Sequence, residues 1–305
     1  MKNRILIMMM LLIGMTASAQ INMEDTTAQV VSYWEKGEKQ NYWVTFDVFK
    51  VNGSDTTSRD NLTYDIEITV LTADEKSYTV EWRFKNAVTT SQLPALKNQV
   101  PLINGKKIVI KTNELGAFQE VVNWKELKAF MQTAIIKAKK EYQNDPEKDN
   151  YFKQIEGEYK TKETIEASAI KEILQFHNFH GGKYKLGEVL EGKTTQSNPY
   201  GPQPFDVDIT VVLDEINVDE DNFTLRSWQE INKEQLADAT FNYLTKSANS
   251  MKVKPPTRED VKNLTNETFT SSVVHPTGWM LFTMEIKTVT QGNIKNIEER
   301  IIELK

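Results

Sequence analysis

Two of the three histidines in the chain stand close together, His177 and His180, in the run Gln175-Phe176-His177-Asn178-Phe179-His180-Gly181-Gly182. At three-residue spacing near a helix end both imidazoles can face one metal ion, with a carboxylate such as Glu172 as a third ligand. A plainer role competes with this one and outweighs it: imidazoles near a helix C-terminus satisfy its last carbonyls. No metal or other cofactor is therefore expected. Asp214, Glu215, Asp219, Glu220 and Asp221 crowd one hairpin. Because they lack the ligand order, glycine and closing glutamate of an EF-hand, they read as a solvated turn. Covalent catalysis finds no support, since the chain has no cysteine, no Gly-x-Ser-x-Gly elbow and no Ser/His/Asp set with meaningful spacing. Gly181-Gly182 and Gly201 lack the strand–loop–helix setting of a phosphate-binding loop. Carboxylates are abundant, but two acids become a glycosidase pair only through their separation in space.

Aromatic residues offer the other chemistry. The chain has six tryptophans and ten tyrosines, and aromatics on the inner face of a curved sheet can line a cavity for an apolar or sugar-like ligand. Trp82, Trp228 and Trp279 fall at core positions of alternating segments; with Tyr200 they are the candidate ligand-contacting residues. Trp34 and Trp43 are expected to face outward. Tyr200 sits in a long polar, proline-bearing loop at 194–204, which is either a flap facing a partner or a connector.

The elements that must position these residues are mostly strands. From Tyr42 the chain alternates, with Tyr42, Val44, Phe46 and Val48 on one face. Leu62, Tyr64, Ile66, Ile68 and Val70 repeat the pattern, and so do Tyr78, Val80, Trp82 and Phe84 after a polar turn. Two shorter strands follow around Lys106–Lys111 and Phe118–Val122. The period then changes. Trp124, Leu127, Met131, Ala134, Ile135, Ala138 and Tyr142 share one helical face, with Asn123 and Glu126 placed as a capping box. A second helix opens at Pro146, and a third sets Ile165, Ala169, Ile173 and Phe176 on one side before Gly181-Gly182.

Strands then return, with Phe205, Val207, Ile209, Val211 and Leu213 alternating before Phe223, Leu225 and Trp228. Ile110-Lys111-Thr112, Gly116 and Phe118 line up at constant offset with Ile286-Lys287-Thr288, Gly292 and Ile294. Duplication and coincidence both explain this match. The expected fold is α+β: two related curved antiparallel halves with covering helices between them. The expected divisions are a signal peptide at 1–19, a lead-in at 20–38 and a first β half at 39–122. A helical segment at 123–181 precedes a second β half at 182–305, with a helical insertion at about 232–265 led by Asn232, Leu236, Ala239, Tyr243 and Leu244.

The start of the chain predicts export. Lys2 and Arg4 precede an apolar run from Ile5 to Met15, and Ala17-Ser18-Ala19 offers a small-residue cleavage site after Ala19. A bilayer-spanning helix needs about 20 apolar residues, so no membrane insertion is expected once the signal is removed. Without cysteine neither disulfides nor a lipid anchor on sulfur is available, and the expected location is periplasmic or secreted. The formal charge of −6 becomes more negative when Lys2 and Arg4 are lost. Lysines are interleaved with acids along the chain, which argues against a nucleic-acid partner.

With its export signal, the lead-in Tyr33-Trp34-Glu35-Lys36-Gly37-Glu38 and its long meandering strands, the chain resembles exported β-rich proteins of Gram-negative bacteria that have no assigned activity. It is also similar in layout to half-barrel carriers of the lipoprotein-localisation type. That resemblance implies a curved antiparallel sheet covered by helices and holding an acyl chain. The leading expectation is an exported, non-enzymatic binding module for an apolar or glycan-like ligand. An interaction component of a cell-envelope assembly, binding a protein through strand edges, is the alternative, and a hydrolase is the third reading.

Overall fold

Alternation governs most of the chain, and the strands it produces are long. The computed structural model describes residues 20–141 and 146–305. The export signal and Tyr142, the last residue of the expected helical face, lie outside the described residues. Two short strands, β1 (Ile21–Asn22) and β2 (Thr27–Gln29), lead into β3 (Lys39–Asn52), β4 (Asp55–Asp74) and β5 (Ser77–Thr89). Helix α1 (Pro94–Ile103) precedes β6 (Lys107–Asn113) and β7 (Phe118–Val121). The helical segment holds α2 (Trp124–Glu141), α3 (Pro146–Glu158), a single turn α4 (Lys162–Thr164) and α5 (Lys171–Phe176). Then come β8 (Lys183–Lys185), β9 (Val189–Gln196), β10 (Phe205–Asn217), β11 (Asn222–Ile231), helix α6 (Lys233–Met251), β12 (Thr265–Val274), β13 (Met280–Gln291) and β14 (Ile294–Leu304).

The fold is α+β, built on one open antiparallel sheet of 11 strands ordered β7-β6-β5-β4-β3-β14-β13-β12-β11-β10-β9, beside a small sheet β1-β2-β8. From β3 the chain steps outward to the edge strand β7. The helical segment then returns it to the opposite edge at β9, and the later strands step inward until β14 pairs with β3, from Leu304↔Tyr42 to Ile294↔Asn52. Both expected strand sets thus belong to one hydrogen-bonded sheet.

One face of this sheet carries the core. Leu62, Tyr64, Ile66, Ile68 and Val70 are all buried, as their period of two predicts. They meet Leu127, Met131, Ile135 and Ala138 of α2, which form the expected helical stripe, and Ile165, Ile173 and Phe176 farther along. The same core continues into the later strands through Leu213, Leu225, Val274 and Ile302. A separate small cluster of Phe205, Val207, Ile231, Leu236 and Leu264 seats α6. Among the described residues no helix is long and apolar enough to cross a membrane.

Local chemistry corrects several expectations. Helix α1 has no forecast, because Pro101 lies inside it and an internal proline reads as a breaker. Pro94 opens the helix, and Asn104 anchors its end by accepting from Ala87 N at 2.8 Å. Asn123 does not turn its side chain onto α2: its Oδ1 accepts from Val109 N at 2.7 Å, tying the helix entrance to β6. The third predicted helix is interrupted. Its face survives, but Ile165–Ala169 widens into a π-helical turn before α5. Asn232 caps α6 as expected, accepting from Gln235 N, whereas Tyr243 and Leu244 of its predicted buried face are exposed.

Candidate functional site

The largest concentration of buried charge lies between the sheet and its helical cover. Lys106 follows Gly105, whose φ of +86° suits glycine. Phe84 pins this point from both sides, since Gly105 N donates to Phe84 O at 3.1 Å and Phe84 N donates to Lys106 O at 2.9 Å. The tether places the Lys106 ammonium over the Phe84 ring, 3.9 Å from its centroid, where the negative face of the ring attracts a cation. Lys106 is only 6% exposed and Arg300, on β14, only 7%. Glu172 enters from α5 and accepts the Tyr64 hydroxyl at 2.6 Å.

Burial alone would raise the Glu172 carboxyl, but the charges of Lys106 and Arg300 and the Tyr64 hydrogen bond outweigh it and hold the group down to about 2. Tyr64 itself is pushed well up, first by burial and then by the neighbouring carboxylate. Burial also lowers Lys106, against the pull of Glu172, and raises Glu158 on α3. Arg300 Nη1 donates to Glu285 and to Gln175, each at 3.2 Å. Gln175 in turn donates to Arg300 O at 3.2 Å and to Thr283 Oγ1 at 3.3 Å, which receives Ser272 Oγ at 2.7 Å. A polar chain therefore runs from α5 across three strands.

Tyr64, Lys106, Glu158, Glu172 and Arg300 line a cavity of about 240 Å3, whose apolar wall includes Leu62, Leu102, Met131 and Ile155. Gln154 and Lys171 at its rim are exposed, so it reaches solvent. The π-helical turn supplies Ser168 and Ala169 to the wall; such turns widen a helix locally and recur at functional sites. A second cavity of about 240 Å3 shares Phe46, Lys171 and Arg300 with the first and continues along the sheet past Glu285 and Lys287. Both together form a groove with Arg300 at its middle.

The aromatic residues singled out from the sequence lie elsewhere and do not converge. Trp82 and Trp279 are buried together with His177 and His180 around Phe176. Trp34, expected outside, stacks on Trp279 at 4.4 Å between centroids, so the lead-in is folded into the core rather than over it. Trp228, expected inside, is 44% exposed. Its neighbours Leu225 and Ser227 are buried, and the pairing of β11 puts Trp228 beside Thr210 and Phe269 on the opposite face. There it meets Phe269 with centroids 5.4 Å apart, over a depression of about 450 Å3 bordered by Asp208, Glu230 and Glu267. Tyr200 is exposed and packs on Tyr243 of α6 at 5.0 Å. Trp43 faces outward as expected.

His177 and His180 follow α5 and use their rings to tie its end to two other loops, rather than only to satisfy its last carbonyls. His177 Nδ1 bonds Gly116 O at 2.8 Å and His180 Nε2 bonds Gly278 O at 3.0 Å, each in the tautomer that donates to a carbonyl. Burial drives His180 down to about 4 and His177 well below its ordinary range, so both are neutral at pH 7. Glu172 is committed to Tyr64 rather than to this pair. Among the described residues no group of three or more His, Cys, Asp or Glu side chains is placed to hold a metal ion. The acidic hairpin is a solvated turn in which Asp214 pairs with Arg226 at 3.1 Å.

No protein-family model matches the chain, and no curated protein matches it. A lipovitellin chain, from a structure concerned with lipid–protein interactions in lipovitellin, aligns with a TM-score of 0.41 and 9% identity over 89% of this chain. This chain spans only 25% of that one. A protein with a YmcC-like fold from Bacteroides fragilis aligns with a TM-score of 0.25 and 7% identity, covering 91% of this chain and 100% of the other. Neither superposition is close enough to transfer a fold or a function.

Proposed function

We propose that the chain is an exported, non-enzymatic binding module whose ligand occupies the cavity under the helical cover. The observation behind this reading is the pair of buried cations, Lys106 and Arg300, at the wall of a solvent-reaching cavity. Fold stability alone does not account for them, since well-packed apolar residues usually serve a core as well as buried charges do, or better. Glu172 stays anionic and Tyr64 stays neutral through the neutral range, a fixed charge pattern suited to holding a ligand rather than passing a proton. Export rests on Lys2, Arg4, the apolar run and Ala17-Ser18-Ala19. Native mass spectrometry of the processed protein, recovered from a periplasm, tests the reading: a small molecule should co-purify. Gln154→Trp, which plugs the rim, should abolish it. A mass equal to the bare chain, with no ligand acquired from a small-molecule library, overturns the proposal.

The exposed Trp228–Phe269 pair favours a second reading, a sugar-like ligand on the outer face. Aromatic rings present flat apolar surface to a sugar ring, and Asp208, Glu230 and Glu267 offer acceptors around it. Quenching of tryptophan fluorescence by oligosaccharides, lost in Trp228→Ala and kept in Gln154→Trp, supports this reading; quenching unchanged in Trp228→Ala removes it.

A further inference from the structure

Among the described residues every other strongly buried charge near the cavity has a direct partner. Arg300 reaches Glu285 and Gln175, and Glu172 accepts from Tyr64. Asp47, buried on the other face, is bonded by Arg59 and Asn61. Lys106 is the exception. It is 6% exposed and lies over Phe84, yet no side-chain hydrogen bond or ion pair within 4.0 Å joins it to any described residue. An ammonium group has three donors, and its nitrogen is not among the sealed, unpartnered polar atoms, so these donors open onto accessible space. The space beside it is the cavity, whose opposite wall is apolar.

We infer that Lys106 is the anion-binding group of this cavity and that its ligand is a small monocarboxylic acid with an apolar body. The inference rests on the cavity being the ligand site, and it specifies what occupies it. A carboxylate on the Lys106 ammonium supplies the missing acceptors, with Tyr159 beside it and the apolar body against Leu62, Leu102, Met131 and Ile155. Arg300 is engaged by Glu285 at 3.2 Å and Glu172 is already anionic beside both cations, so Lys106 is the buried cation without a direct acceptor. One carboxylate meets it one for one, whereas a phosphate dianion would bring a second negative charge to a site that already holds two carboxylates. The compartment beside Lys106 holds about 240 Å3, enough for a short or single-ring body, and a longer chain would have to run on past Arg300 into the adjoining compartment of about 240 Å3.

Isothermal titration of the processed chain with octanoate, octanamide and octyl phosphate tests the assignment. Octanoate should bind at least tenfold tighter than either of the others. Lys106→Met should lose at least tenfold in octanoate affinity while keeping its circular dichroism spectrum, and Lys106→Arg should keep part of it. Octanamide binding as tightly as octanoate, or Lys106→Met binding octanoate unchanged, overturns the anion site and leaves the cavity reading standing. Tighter binding of octyl phosphate overturns the single-charge assignment. If none of the three binds, the inference fails whether or not native mass spectrometry finds another occupant sensitive to Gln154→Trp.

Discussion

Glu172 shows how one side chain ties stability to charge. Its carboxyl, ordinarily near 4.5, is held to about 2 by Lys106, Arg300 and Tyr64 against the opposing effect of burial. A carboxyl depressed by folding stabilises the native state above its unfolded value, and that contribution is lost as pH falls from about 4.5 towards about 2. Glu172→Gln should reduce the slope in that window and, by taking the anion away from Lys106 while Arg300 keeps Glu285, destabilise at neutral pH by about 1–3 kcal/mol in urea melts. His177 and His180 act at higher pH. Their folded values lie below 6.5, with His180 at about 4, so the unfolded chain takes up protons first. Stability should therefore be full above pH 6.5 and decline as pH falls towards 4, and the decline should shrink in His180→Gln. A melting temperature flat between pH 7 and 4.5 contradicts the burial of both rings.

At the scale of elements, the turn at Gly116 joins three parts of the structure. Its φ is +88°, and an added Cβ would run into Ser32 and His180. Gly116→Ala should cost more than about 1 kcal/mol, combining backbone strain with that collision, and should loosen the lead-in before the sheet, as hydrogen exchange at Ser32 and Trp34 would reveal. Elements of this kind differ in how much the sequence discloses. β4 and α2 are legible because their buried residues repeat at two and at three to four positions, and no neighbour overrides the pattern. Trp228 is an error of parity: Phe223, Leu225 and Ile231 mark the inner face of β11 as odd-numbered, and Trp228 is even. Trp34 precedes any periodic segment, so its burial rests on contacts with His180 and Trp279, in the loops after α5 and before β13, that no local pattern encodes. Helix α1 stays hidden because Pro101 is tolerated where packing holds the turn together.

For the whole molecule the same division holds. Strand content and the helical segment follow from local periodicity, but the cavity assembles Tyr64, Lys106, Glu172 and Arg300 from four distant parts of the chain. No spacing rule unites them, and each alone looks like an ordinary charged or core residue. Strand order is equally non-local, since the middle of the sheet is the pairing of β3 with β14. Ending the chain at Asn293 should strip β3 and β13 of their shared neighbour and divide the core. The truncated protein should be degraded by thermolysin at concentrations the full chain survives; equal resistance would show that the two strand sets fold independently. That seam also orders events in time. Because β14 is the keystone of the sheet, a chain emerging from its N-terminus cannot lock the centre until residues 294–304 arrive, and closing so long a loop is slow. Under the export proposed above, such a delay would keep the chain open for passage through a translocation channel.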